Sequence, residues 1–217
     1  MKRAVFPIVL SCCLPLFATG AQANLLTNGD FETGDLSGWS HAGDVRLAFA
    51  NSAASAAGMV NAYALLGLGT TTGTSTLSQQ FSVTGIPAIA VSFDWFFVYW
   101  DNSPTVNDVF LSLLATDGTA AATISMQELS TGGTPLLNGL SGHFANTYDI
   151  SSFTANNATV SFQLVESGDP PLLTGTASIA GIDNVSVEPV PEPATLSLLA
   201  SGGLLLAAAR RRQRRRR

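Results

Sequence analysis

Cysteine occurs only at Cys12 and Cys13. Everything after them is therefore without a disulfide framework or a thiolate metal site. Basic side chains are nearly as scarce. Between Asn24 and Val190 the only one is Arg46, against fourteen of the chain's fifteen acidic residues, so this stretch has a formal charge of −13 where the whole chain has −5. Such a surface repels phosphate backbones and anionic headgroups, which excludes nucleic acid as a partner, and it suits hard divalent cations. Imidazoles are limited to His41 and His143. No long segment carries a helical stripe, and no repeat with a period of about 20–50 residues is present. The motifs G-x-S-x-G, H-E-x-x-H and G-x-x-x-x-G-K are missing too.

What basic charge there is lies at the two ends. Lys2 and Arg3 precede a mostly apolar stretch, Ala4 to Phe17, and Ala21-Gln22-Ala23 offers the small residues that signal peptidase accepts. We expect a signal peptide over 1–23, cleaved after Ala23. A lipoprotein reading of Cys12 and Cys13 fits less well, because the apolar run before them is very short. At the other end Pro191-Glu192-Pro193 leads into Ala194–Ala209, an uncharged run of sixteen residues, and then into seven arginines among residues 210–217. As a helix this run measures about 24 Å against a hydrocarbon core of about 30 Å, a short span that snorkelling arginines can complete. The positive-inside rule puts Arg210, Arg211 and Arg212 in the cytoplasm as a stop-transfer cluster, with everything before them outside. A nucleic-acid tail would find no nucleic acid beside an exported acidic domain. A plain solvated tail would leave the apolar run unexplained.

Val190-Pro191-Glu192-Pro193-Ala194, a short apolar helix and a terminal arginine cluster together resemble the PEP-CTERM sorting signal of Gram-negative bacteria. The resemblance implies transient residence in the inner membrane and recognition by an exosortase, a membrane cysteine protease-transpeptidase acting near the Pro-Glu-Pro. It also implies a host that makes extracellular polysaccharide. Pro191, Glu192 and Pro193 are then processing determinants, and the destination is the cell surface or matrix.

The remainder, 24–187, has a length suited to one domain, with 188–193 as a proline-rich linker. Short apolar runs between Gly/Asn/Asp/Ser turns predict nine strands: Val45–Ala50, Ala62–Leu66, Ser75–Val83, Ile89–Trp100, Asp108–Thr116, Ala121–Leu129, His143–Asp149, Thr159–Glu166 and Ser178–Glu188. The fold class is all-β, an antiparallel sandwich of jelly-roll type flanked by a signal-peptide helix and a C-terminal transmembrane helix. The two-residue period places Val91, Phe93, Trp95, Phe97 and Tyr99 on a core face. Its opposite face starts polar, at Ser92 and Asp94, and turns apolar from Phe96. Val160, Phe162 and Leu164 mark a second core strand. Ala48–Val60 is rich in small residues and reads as a loop or a single helical turn.

The domain opens Asn24-Leu25-Leu26-Thr27-Asn28-Gly29-Asp30-Phe31-Glu32 and continues to Gly38-Trp39; it closes Gly181-Ile182-Asp183-Asn184-Val185. These two ends resemble jelly-roll domains of the galactose-binding-like class, which includes many carbohydrate-binding modules. That resemblance implies first and last strands lying side by side around a structural calcium. Glu32 and Asp183 would give carboxylates and Asp30 its main-chain oxygen. The alternative is that Asp30 and Glu32 cap turns and Asp183 ends a strand at the surface.

Sugar-stacking candidates are Trp39, Tyr99, Trp100 and Tyr148. Trp39 reads better as a core plug, and Trp100 beside Asp101 and Asn102 is the best ligand candidate. A Ser-His-Asp set could be assembled on paper from His143 and Asp149, as in any serine-rich chain, and no pair of acids stands out for glycoside cleavage. The reading is a non-catalytic, exosortase-sorted surface or matrix protein, adhesive or structural and associated with exopolysaccharide. The alternatives are a carbohydrate-binding module with a defined sugar site and a hydrolase of matrix polysaccharide.

Overall fold

Along 157–166 every second side chain is buried, with Ala158, Val160, Phe162 and Leu164 fully inside, and Thr159, Ser161 and Gln163 turned outward. That alternation is what a strand with one face on a core requires. It recurs in the computed structural model, which describes residues 23–51, 59–67, 73–100, 108–116, 123–130, 137–166, 178–191 and Gly202. The strands are β1 (Ser40–Ala42), β2 (Val45–Phe49), β3 (Ala62–Leu66), β4 (Gly73–Ser82), β5 (Ala88–Trp100), β6 (Val109–Thr116), β7 (Thr123–Ser130), β8 (Leu137–Asp149), β9 (Asn157–Glu166) and β10 (Ile179–Pro189).

They form two five-stranded sheets, β1-β4-β9-β6-β7 and β2-β3-β10-β5-β8, antiparallel throughout. This is the predicted all-β sandwich. Its core fills the space between the sheets: Phe93 meets Phe162 edge to face at 5.0 Å and stacks on Phe144 at 4.8 Å. Burying each such ring contributes about 1.5–3 kcal/mol. Trp39 is the expected core plug, 5.4 Å from Phe31 and 6.3 Å from Phe162. The apolar end of the second face of β5 is covered as well, since Phe96 packs with Met59, Tyr63 and Leu65 in a smaller cluster.

Three boundaries differ from expectation. β1 is a polar three-residue strand with exposed side chains, so its sequence holds no alternation to read. Ala48 and Phe49 fall in β2, as the predicted strand Val45–Ala50 has them, and not in the overlapping loop or helical turn read at Ala48–Val60. β8 begins at Leu137, six residues before His143, in a Gly- and Ser-bearing stretch of loop-like composition. There Gly142 faces the Trp95 indole, where a Cβ would lie 3.2 Å from the ring. Among the described residues no helix is long and apolar enough to cross a membrane. The predicted signal segment (except Ala23), Glu192, Pro193, the span Ala194–Ala209 (except Gly202) and the cluster Arg210, Arg211 and Arg212 lie outside the described residues.

Candidate functional site

β10 contains a bulge between Asp183 and Ser186, at which the ladder to β5 shifts. Asn184 sits there at a φ of 51°, a left-handed conformation that Asn tolerates better than most side chains. The bulge turns Val185 and Val187 toward the N-terminal segment. Leu25 N–H donates to Val187 O at 2.7 Å, Val185 N–H to Gly29 O at 2.8 Å, and the Asn24 side chain bridges Val185 O and Val187 N–H. The two ends of the domain thus lie side by side. Gly29 is needed for this approach, because a Cβ there would stand 2.1 Å from Val185 O. Gly29→Ala should cost about 1–3 kcal/mol, measured as a lower urea midpoint with an unchanged slope.

Phe31 follows at a φ of 54° with its ring fully buried. A non-glycine residue in that region costs on the order of 1 kcal/mol, offset here by the ring's contact with Trp39. The anchored ring holds Glu32 over β3, where Glu32 Oε1 accepts from Ala62 N–H at 3.4 Å. Asp183 is 1% exposed, in the middle of a strand and away from the surface. Its carboxylate accepts from Val60 N–H at 2.9 Å and from Asn184 N–H at 2.7 Å. Burial pushes its pKa from 3.8 up to about 6; those two amide bonds oppose the rise, and the negative charges of Asp94 and Glu32 add to it.

Glu32 and Asp183 therefore sit close enough to repel, with amides as partners for both. A hard cation suits that donor set, since it would neutralise two crowded carboxylates. Asp30 is exposed; its Oδ1 accepts from Glu32 N–H at 3.4 Å, a turn-capping bond, and it lines a groove of about 350 Å³ with Asn28, Gly29 and Asn184. Among the described residues no three His, Cys, Asp or Glu side chains gather into a metal-holding group. An ion here would draw its remaining ligands from main-chain oxygens and water.

A polar row that sequence reasoning missed crosses the outer face of the second sheet. Asp94 on β5 stands opposite both Asp183 on β10 and His143 on β8. His143 Nδ1 lies 2.7 Å from Asp94 Oδ1, and Asn184 Nδ2 donates to Asp94 Oδ2 at 2.9 Å. Period two had put Asp94 on the solvent side, but only the strand register reveals its partners. Beside this row Ser92, Asn146, Thr147, Ser186 and Glu188 line a shallow groove of about 430 Å³.

The paper triad does not assemble. His143 and Asp149 lie six residues apart on β8, about 20 Å at strand rise. His143 pairs with Asp94, and Asp149 accepts from Ser151 N–H at 2.9 Å. Of the aromatic candidates, Tyr148 packs against the core and Trp39 is buried within it. Trp100 closes β5 opposite Leu137; Asp101 and Asn102 lie outside the described residues.

The PEP-CTERM protein-sorting motif matches residues 189–216. The chain carries an export-sorting signal. It starts where β10 ends, with Val190 N–H donating to Ala88 O and Pro191 exposed beyond it. No curated protein matches the sequence. Several solved structures overlap the chain. A family 61 carbohydrate-binding module, solved with β-1,4-galactotriose, is 20% identical over 77% of this chain and 99% of its own, with a TM-score of 0.49. The C-terminal family 22 carbohydrate-binding module of Clostridium thermocellum Xyn10B is 12% identical over 78% and 97%, with a TM-score of 0.46. The enzymatically active domain of bacteriophage CBA120 tailspike protein 4 is 15% identical over 77% of this chain and 21% of its own, at 0.49.

Proposed function

We propose that this chain is an exported, exosortase-processed, non-catalytic β-sandwich protein that adheres to polysaccharide at the cell surface or in the matrix. The observation that carries the reading is the sorting motif over 189–216, placed directly behind a folded, acidic, all-β domain. The groove on the second sheet is where we place polysaccharide contact. Its hydroxyl, amide and carboxylate groups can exchange hydrogen bonds with sugar hydroxyls, and its volume falls within the ordinary range of binding clefts. Structural calcium at Glu32, Asp183 and the Asp30 main chain belongs to the same proposal, tying the domain's ends in place of a disulfide.

A polymer-cleaving role finds less support. Asp183 and Glu166, the acids whose pKa values are raised most among the described residues, are 1% and 5% exposed. Buried carboxylates of that kind do not reach a glycosidic oxygen.

Affinity electrophoresis in gels containing the host's own exopolysaccharide tests the reading. The full chain should be retarded, and Asn146→Ala should reduce that retardation several-fold while shifting stability by less than about 0.5 kcal/mol. A wild-type chain that runs unretarded would remove the carbohydrate claim. Retardation lost in Trp100→Ala and kept in Asn146→Ala would instead place a defined sugar site at the end of β5.

A further inference from the structure

The sequence pattern that makes β9 a core strand also carries an acid into the core. Glu166 follows Ala158, Val160, Phe162 and Leu164 on the inward side, at the last position of the strand. It is 5% exposed, and its Oε2 has no hydrogen-bond partner among the described residues. One step beyond the pair Val109–Val165, the register brings Asp108 opposite Glu166, and Asp108 is 3% exposed. Asp108 accepts a short hydrogen bond from the hydroxyl of Ser178, which is itself fully buried at the start of β10. On the other side of Glu166 the register partner is Gly73, which brings no side chain to the position. Asp44, whose N–H donates to Ser75 Oγ at 3.0 Å, adds more negative charge to the same end of the sandwich.

For Glu166, an inward-facing carboxylate with a second one opposite it, burial as an ion without a counter-charge costs several kcal/mol. Among the described residues the charges that act on Glu166 are Asp108 and Asp44, both negative. We propose that this end of the sandwich binds a hard divalent cation, calcium in an exported protein, between the carboxylates of Glu166 and Asp108. Ser178 holds Asp108 in orientation, a positioning role common around metal ligands. The site is separate from Glu32 and Asp183: it lies at the end of β9, beside the starts of β4 and β6, whereas Asp183 lies in the middle of β10 beside the N-terminal segment. Two carboxylates fall short of a three-ligand cluster, so water and main-chain oxygens complete the shell, as calcium readily allows.

The test counts ions. The full-length chain in detergent, stripped with EGTA, is titrated with calcium by isothermal calorimetry beside Glu166→Gln and Asp183→Asn. Glu166→Gln should bind one ion fewer than wild type, and Asp183→Asn should keep the ion that Glu166→Gln loses. Equal stoichiometry in wild type and Glu166→Gln, or no binding by wild type, overturns the site. Glutamine is isosteric and removes a buried charge, so in EGTA this variant should melt at or above the wild-type temperature. If it fails to fold, Asp108→Asn is read in the same way. A wild-type melt that responds to pH and not to calcium assigns the position to a proton and overturns the proposal.

Discussion

Changing Pro191, Glu192 and Pro193 together to alanine should leave the chain in the inner membrane and abolish its appearance at the surface. The motif begins as the sandwich ends, at a point where Pro191 is exposed and open to an enzyme. In the proposed reading the uncharged run and the arginines beyond it act as a stop. Moving an arginine through the membrane centre costs about 2.5–3.5 kcal/mol on insertion scales, and seven lie within residues 210–217. On that reading release depends on cutting the chain before the run. Fractionation of the host should find wild type in the surface or matrix fraction, with mass spectrometry showing a C-terminus near the motif. The triple variant should be found in the membrane fraction with Arg217 intact. Surface delivery of the variant at the wild-type level would sink the exosortase reading. Replacing the arginines with glutamine should give a third pattern, passage of the uncut tail to the outer side.

The limits of sequence reading follow from what each feature depends on. Strands with one buried face were legible, because alternation records burial directly, as in β5 and β9. The N-terminal and Asp183-Asn184-Val185 segments were matched by resemblance, and their physical logic appears only in the fold: Asn184 makes the bulge, and the bulge exposes backbone groups to Leu25 and Gly29. β1 was illegible because a short exposed strand has no apolar partner to alternate with. The row His143–Asp94–Asn184 depends on cross-strand register, which no single strand encodes. Glu166 was within reach, since the period that placed Leu164 inside also places Glu166 inside. Its charge made it read as a strand end.

That pair of buried acids, Glu166 and Asp183, sets the second large effect: without divalent metal, stability should fall as pH rises from about 4 to 7. Asp183 has its pKa raised from 3.8 to about 6, and Glu166 from 4.5 to about 7, both chiefly by burial. Below the ordinary values folded and unfolded chains hold these protons alike, and no penalty exists. As pH climbs, the unfolded chain ionises first, so folding is progressively disfavoured until the folded values are passed. Each group contributes on the order of 2 kcal/mol after solvent screening. Asp35 and Asp149 have lowered values, held by Ser37 and Ser151, so their contribution is lost only as pH falls below about 4 and leaves this window untouched. Calcium bound as proposed should reverse the slope, because it favours the ionised forms and its advantage grows with their population. Melting temperatures in EGTA should decline from pH 4.5 to 7.5, and the gap between calcium and EGTA should be widest at the upper end. Asp183→Asn should flatten the part of the decline below pH 6, and Glu166→Gln the part that extends to 7. A metal-free melting temperature that climbs over this range, or variants that keep the wild-type slope, would show that neither acid is held against its charge.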